Sequence, residues 1–182
     1  MNLVQTIVDL DQATDLHLAR ILILLNAFYE TPGGGPIEGI TKLAKLDFLL
    51  RYPVMLQKAL EARGRSTQDV KLEEHEKSSV ESAMVRYRFG PWDHRYREFL
   101  NILTAKNLAF VTLEGRKVVI APTAEGQKIA KTLGADPLFE AHARRAIALK
   151  RHLDLGATNL MKFVYNTFPE ILSLRSNSTI PT

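Results

Sequence analysis

The sequence predicts a mainly α-helical protein with a small antiparallel β-hairpin, and three observations lead to this fold class. After Asp93, a residue type that caps helices, apolar residues recur at helical spacing. Two runs rich in β-forming residues follow, 108–113 and 117–121, with a short turn between them. Thr123 is then placed to cap a further helix. A helix, a hairpin and a capped helix in this order are typical of the second half of a winged helix. We therefore expect a winged helix-turn-helix core, with a small antiparallel β wing and helical extensions at both ends.

The composition indicates a globular chain without thiol chemistry. It has 182 residues, of which 46% are hydrophobic, and it contains no cysteine. Disulfides and thiolate zinc sites are therefore excluded, and the chain is compatible with a reducing cytosol. The longest apolar run, 21–25, is too short to span a bilayer, and residues 1–10 lack the basic residues of a signal peptide. We expect a cytoplasmic protein without a membrane partner.

Breaks in composition divide the chain into six predicted segments. They are a loose leader (1–14), N-terminal helices (15–64), a polar linker (65–79), the winged-helix core (80–133), C-terminal helices (134–172) and a frayed tail (173–182). Residues 65–79 are expected to form an exposed linker or an irregular helix, because acidic and basic residues crowd the second half of this segment.

The first helix, 14–30, is predicted with Thr14 or Asp15 as its cap. Its apolar residues cover most of its circumference, so it is buried either in its own domain or against another chain. Both alternatives remain open from the sequence. Trp92, beside a turn, is predicted either to plug the core or to anchor a partner. The candidate partner-interface residues are Ile21, Leu22, Leu24, Leu25, Phe28 and Trp92.

Glycine and proline mark the next boundaries. The run 31–36 contains three glycines, but no Gly-Lys-Ser/Thr follows, so it is interpreted as a connector and not as a phosphate-binding loop. A helix over 40–51 ends before Pro53. Pro53 suits the first position of a third helix, which Gly64 closes.

Three further elements complete the predicted order. Residues 80–89 are rich in β-formers and are predicted to form a strand that pairs with the wing. Asp136 followed by Pro137 predicts the start of a long helix that ends near residue 153. The last predicted helix, 157–168, ends at a proline.

No motif for catalysis or metal binding is recognised. The five histidines are not in a His-Glu-x-x-His or paired-ligand spacing, and no Gly-x-Ser-x-Gly segment is present. Asp69-Val70-Lys71 resembles the end of a nuclease motif but lies in the polar linker, where the required strand is missing. We therefore expect a non-enzymatic protein without a metal or cofactor.

Basic residues around the predicted wing are the best candidates for a binding function. In a winged helix on DNA, the N-terminal part of the recognition helix faces the major groove and the wing reaches phosphates. Arg95 and Arg97 fit the first position, and Arg116 and Lys117 fit the second. The candidate residues for binding nucleic acid or an acidic partner are Arg86, Arg88, Arg95, Arg97, Lys106, Arg116 and Lys117.

Two features oppose base-specific reading by this surface. Asp93, Glu98 and Glu114 dilute the positive charge, so an ordinary solvated surface is the competing interpretation. A predicted strand and Gly90-Pro91-Trp92 also precede the recognition helix, where DNA readers carry a helix and a tight turn. We expect any contact with double-stranded DNA to be to its backbone and independent of sequence.

Four segments together resemble a known family. They are 42–53, 86–93 (Arg-Tyr-Arg-Phe-Gly-Pro-Trp-Asp), 121–126 and 160–170. In these segments the chain is similar to the middle components of bacterial three-component ABC-ATPase defence systems, of which the Lamassu type is the best known. The resemblance implies a small non-enzymatic subunit whose partners are a coiled-coil SMC-like ATPase and an effector, often a nuclease. It supplies no catalytic residues. The alternative function is a stand-alone winged-helix transcriptional regulator.

Overall fold

Helices make up most of the chain, and a small antiparallel sheet lies among them. The computed structural model describes residues 13–77, 86–87, 90–91, 95–169 and 171. In chain order the elements are α1 (Thr14–Glu30), β1 (Ile37–Glu38), α2 (Ile40–Arg51), α3 (Pro53–Ala62), α4 (Glu74–Lys77), β2 (Arg86–Tyr87), β3 (Gly90–Pro91), α5 (Tyr96–Ala105), β4 (Ala109–Glu114), β5 (Lys117–Pro122), α6 (Ala124–Ala135), α7 (Glu140–Leu153) and α8 (Ala157–Thr167). The mainly helical prediction is confirmed, and no helix of the described ranges is long and apolar enough to cross a membrane.

The predicted hairpin is present and forms two thirds of the larger sheet. β4 and β5 pair antiparallel from Ala109↔Pro122 to Glu114↔Lys117, and Gly115 makes the turn with φ +63°. The strand order is β1-β5-β4. A positive φ is easily reached only by glycine, so the short turn predicted from the sequence has the residue it needs.

The third strand of this sheet differs from the prediction. Residues 80–89 were expected to pair with the wing, but their described part, β2, pairs with β3 in a separate two-stranded ladder. The edge of β5 is occupied instead by β1, where Ile37 lies opposite Ile120. β1 has only two residues and follows a Gly-Pro connector, so no alternation of apolar residues marked it as a strand.

α1 is the central helix of the protein and is surrounded by its own chain. It packs against α2, α5, α6, α7 and the sheet. The candidate interface residues on it are exposed by only 0–1%, and these are Ile21, Leu22, Leu24, Leu25 and Phe28. The prediction that they face a partner is wrong, because C-terminal helices far away in sequence cover the sides of α1 that the neighbouring helices leave open.

Helix boundaries follow local signals with two exceptions. α2 has the predicted bounds, and the Thr123 Oγ1 atom accepts a hydrogen bond from the Gly126 N–H at 3.0 Å, as expected of a cap. α1 begins at Thr14 after Ala13, without a side-chain cap, so the capping role predicted for Thr14 or Asp15 is wrong. α7 begins at Glu140, four residues after Asp136. Asp136 instead closes a turn by accepting a bond from the Leu138 N–H at 2.8 Å.

The predicted polar linker is attached to α7. Val70 is fully buried, and the Arg145 Nε atom donates to the Val70 carbonyl at 2.8 Å. The same guanidinium makes two bonds of 2.7 Å to the Glu76 carboxylate. Most of the described part of the segment, 65–77, is nonetheless exposed, and it ends in the short helix α4. Charged residues marked it as polar, but the sequence did not show that a buried arginine on a distant helix binds them.

Candidate nucleic-acid and partner interface

The helix before the hairpin, α5, has one buried face and one exposed face. Tyr96, Phe99, Leu100 and Leu103 are buried, as their helical spacing predicts. The predicted cap, Asp93, lies outside the described residues. The exposed face carries Arg97, Glu98, Asn101, Thr104 and Lys106. It therefore offers arginine, asparagine and hydroxyl groups of the kinds that bind phosphates and base edges.

A buried polar network holds α5 against α1 and α2. The Asp47 carboxylate of α2 accepts bonds from Arg20 Nε at 2.6 Å and from Arg20 Nη2 at 2.9 Å. The Tyr96 hydroxyl of α5 donates to the same carboxylate at 2.5 Å. One carboxylate thus joins three helices in the core, and its geometry with Arg20 is bidentate.

The charges of this network stabilise each other in the low-dielectric core. Burial by itself would raise the pKa of Asp47, but the Arg20 guanidinium and the Tyr96 hydroxyl lower it below its ordinary value. Burial would also lower the pKa of Arg20, and the Asp47 charge raises it. Burial and the Asp47 charge together raise the pKa of Tyr96 well above its ordinary value. At neutral pH the network is therefore an ion pair with a neutral tyrosine.

Arg95 is directed into the protein and not toward a polyanion. Its guanidinium carbon lies 5.1 Å from the centre of the Phe99 ring, and its Nη2 atom is 3.3 Å from Nε2 of the buried His17. His17 in turn stacks on Phe99 and contacts Arg20 through Nδ1. The prediction that Arg95 faces a DNA groove is therefore corrected, because the residue closes the N-terminal end of α5 against α1.

The tip of the hairpin carries two exposed basic residues in different settings. Lys117 Nζ lies 2.8 Å from a carboxylate oxygen of Glu38 on β1, and this contact raises the pKa of Lys117. Arg116 is also exposed and lines a groove of about 510 Å³ between the tip and the first turn of α8. That turn begins after Gly156 without a side-chain cap. Arg116 is consequently the stronger candidate for a phosphate contact, because a carboxylate already offsets the charge of Lys117.

The remaining candidates are only partly described. Arg86 is in β2 with its backbone alone described, and Arg88 and Trp92 lie outside the described residues. Arg97 and Lys106 are exposed at opposite ends of α5. The structure thus brings basic residues of the candidate set to α5 and to the hairpin tip.

Sequence reasoning missed the polar residues that build this region. The sequence pattern places Asp47 on a polar helix face, and it does not single out Arg20 in α1. A signal existed, since an arginine directly before the apolar run 21–25 of a buried helix requires a buried partner. Glu38 gave no such signal, because its contact with Lys117 depends on β1 joining the sheet.

Among the described residues, no group of three or more histidine, aspartate and glutamate side chains is arranged to hold a metal ion. Comparisons with models of protein families, with curated proteins and with solved structures found no match for this chain.

Proposed function

We propose that this chain is a winged-helix protein that serves as a non-enzymatic accessory subunit of an SMC-like ATPase complex in defence against phage or plasmid DNA. In this role it bridges the ATPase and an effector and contacts the DNA backbone. The observation that carries the winged-helix assignment is the order of elements around the sheet. The choice of partners rests on the family resemblance of the sequence.

The assignment uses elements from most of the chain. Six elements form this core, and other elements lie between the third and the fourth of them. In chain order they are a helix, a strand, two helices and two strands, namely α1, β1, α2, α5, β4 and β5. The order of the strands in the sheet is β1-β5-β4. This arrangement supports a winged helix in which α5 is the recognition helix and the β4–β5 hairpin is the wing. On this assignment the core extends from residue 14 to 122, with residues 52–95 inserted between its second and third helices, in place of the core over 80–133 expected from the sequence.

The surface chosen for DNA contact is the exposed face of α5 with the tip of the wing. Arg97 on α5 and Arg116 at the tip are exposed, and both carry a permanent positive charge. Glu98 and the Glu38–Lys117 pair reduce the field around them. Contacts of this kind favour binding to phosphates with little preference for sequence.

Replacing Arg116 by alanine is expected to weaken binding to double-stranded DNA on every sequence tested. The salt slope of log K should fall by about one unit for each phosphate that the variant no longer neutralises. Lys117→Ala should have a smaller effect, because Glu38 already offsets that charge. Fluorescence anisotropy at several salt concentrations, on two duplexes of unrelated sequence, measures both quantities.

Lys58→Ala is the matched control, since Lys58 is an exposed lysine on α3, outside this surface. It should leave the salt slope unchanged. A loss of affinity confined to one duplex would indicate direct base reading, and equal losses for Lys58→Ala and Arg116→Ala would remove the wing from the DNA surface.

The partner assignment is tested by recovering the tagged protein from its native host and identifying what co-purifies. We expect a large coiled-coil ATPase and an effector. A charge on α1 is not a useful probe of this contact, since Leu24 and its neighbours are core residues whose replacement unfolds the chain. Recovery of the protein alone would contradict the accessory role.

The alternative, a stand-alone transcriptional regulator, is separated by a footprint on the promoter of its own gene. A regulator protects two half-sites about one helical turn apart. An accessory subunit that contacts only the backbone protects no defined site.

A further inference from the structure

The outer strand of the sheet, β4, carries apolar side chains that the described part of the chain leaves exposed. β4 is at the end of the strand order β1-β5-β4, and in the described ranges it pairs with β5 alone. Phe110, Val111 and Leu113 are exposed by 38%, 39% and 73%. Side chains alternate between the two faces of a regular strand, so Val111 and Leu113 share one face of the sheet and Phe110 is exposed on the other.

The free backbone groups of β4 can be identified from its pairing. Ala109 lies opposite Pro122, which has no N–H, so these two residues cannot exchange both hydrogen bonds. Paired residues alternate along an antiparallel ladder between those that exchange bonds and those that do not. Ala109, Val111 and Leu113 therefore belong to the second set, and their N–H and C=O groups face the open edge.

This edge lacks the usual features that prevent strand pairing. Soluble proteins protect edge strands with proline, with lysine or with a bulge. Between Ala109 and Leu113 there is no proline and no charge, and the register with β5 is unbroken. Within β4 the charged residue is Glu114 at its end, and Lys106, the C-cap residue of α5, lies three residues before the strand begins.

We propose that β4 pairs antiparallel with β4 of a second copy of this chain, which joins the two sheets across a two-fold axis at Val111. In this register Val111 lies opposite Val111 of the second copy, and Leu113 lies opposite Ala109. The N–H and C=O groups of Ala109, Val111 and Leu113 that face the open edge then form hydrogen bonds with the second copy. The exposed side chains of Val111 and Leu113 are covered by the opposite strand.

Charge complementarity favours a second copy over an unrelated strand. Antiparallel pairing places Glu114 of one copy opposite Leu108 of the other, two residues from Lys106. Lys106 is the C-cap residue of α5 shortly before β4, so one acidic and one basic residue flank each end of the paired strands, and the two-fold axis makes both ends equivalent. The two hairpin tips lie at opposite ends of the paired β4 strands, so the proposed dimer interface does not include Arg116.

Cysteine cross-linking tests the register, because the chain has no cysteine of its own. Val111→Cys is expected to form a covalent dimer under mild oxidation, since the Cα atoms of a hydrogen-bonded antiparallel pair lie about 5.5 Å apart, within the range of a disulfide. Leu113→Cys should cross-link much less, because its two copies are four residue steps apart, or about 13 Å. Leu138→Cys, at an exposed apolar residue outside the sheet, is the control.

Sedimentation at increasing protein concentration tests the equilibrium with the unmodified chain. Leu113→Lys should weaken dimerisation about tenfold or more, whereas Leu138→Lys should leave it unchanged. Circular dichroism establishes that each variant is folded. A wild-type protein that is monomeric at every concentration, or a dimer that cross-links through Leu138→Cys and not Val111→Cys, would overturn the proposal. Neither measurement involves DNA or a partner, so it succeeds or fails independently of the proposed function.

Discussion

Replacing Asp47 by alanine is expected to destabilise the protein by about 3–5 kcal/mol, which is the usual cost of removing one member of a buried ion pair. The change leaves the Arg20 guanidinium buried without its carboxylate, and the Tyr96 hydroxyl loses its acceptor. Urea denaturation followed by circular dichroism measures the free energy of unfolding. A loss below about 1 kcal/mol would show that the carboxylate does not hold the three helices together.

A triple variant separates the cost of an unpaired charge from the loss of packing. In Arg20→Met, Asp47→Ala, Tyr96→Phe the same cavity is made at Asp47, and the two polar partners are replaced by apolar groups of similar size. This variant should be more stable than Asp47→Ala, because no charge remains buried without a partner. If it is as unstable as Asp47→Ala, the loss in the single variant comes from packing.

The carboxylate of Asp47 should also make the free energy of unfolding decrease at acidic pH. The pKa of Asp47 is lower in the folded state than its ordinary value, so the unfolded chain binds its proton first as the pH falls. The stability that the ionised Asp47 contributes is fully present above the pKa of the unfolded state, about 4. It is lost as the pH falls through the lower pKa of the folded state. Asp47→Asn should therefore lose less stability than the wild type as the pH is lowered from about 5 to about 2, which urea denaturation at each pH measures.

Replacing Gly126 by alanine is expected to destabilise the protein by about 3 kcal/mol or more, since overpacking against backbone cannot be relieved by a side-chain rotation. A β-carbon at this position would lie 1.8 Å from the carbonyl oxygen of Leu108. That carbonyl also accepts the Thr123 N–H at 3.0 Å. To relieve the clash, the start of α6 has to move away from the segment that joins α5 to the hairpin.

Gly134→Ala, in the same helix, is the matched control. Its β-carbon would lie 3.1 Å from the β-carbon of Ala143, a contact that a small shift relieves. Alanine also favours the helix by about 1 kcal/mol over glycine, so the net change should be within about 1 kcal/mol. Thermal unfolding of the two variants provides the comparison. Equal losses of thermal stability in Gly126→Ala and Gly134→Ala would contradict the close approach of α6 to Leu108.

Local signals predicted several elements correctly. α2 and the β4–β5 hairpin have boundaries set by residues within a few positions, such as Pro53 after α2 and Gly115 in the turn. Thr123 caps α6 because its side chain needs only the N–H three residues ahead. Such signals require no knowledge of the rest of the chain.

The errors fall where a distant segment supplies the partner. The third strand of the sheet is Ile37–Glu38, whose pairing with β5 joins residues about eighty positions apart. The sequence also does not show that Arg145 binds the carbonyl groups of Val70 and Lys71 and so attaches residues 65–77 to α7. The interface predicted on α1 failed for the same reason, since apolar residues alone do not reveal which chain covers them.

The sequence by itself determined a mainly helical protein with one hairpin, because the spacing of apolar residues and the turn and cap residues act over a few positions. Tertiary structure decided which side chains remain available for binding. It buried α1, directed Arg95 to Phe99 and paired Lys117 with Glu38, while Arg97, Arg116 and the outer edge of β4 remained exposed. The physical reason is that burial and ion pairing depend on contacts between residues far apart in the chain. Which residues make these contacts is decided by the packing of the helices and the sheet and not by the local sequence pattern.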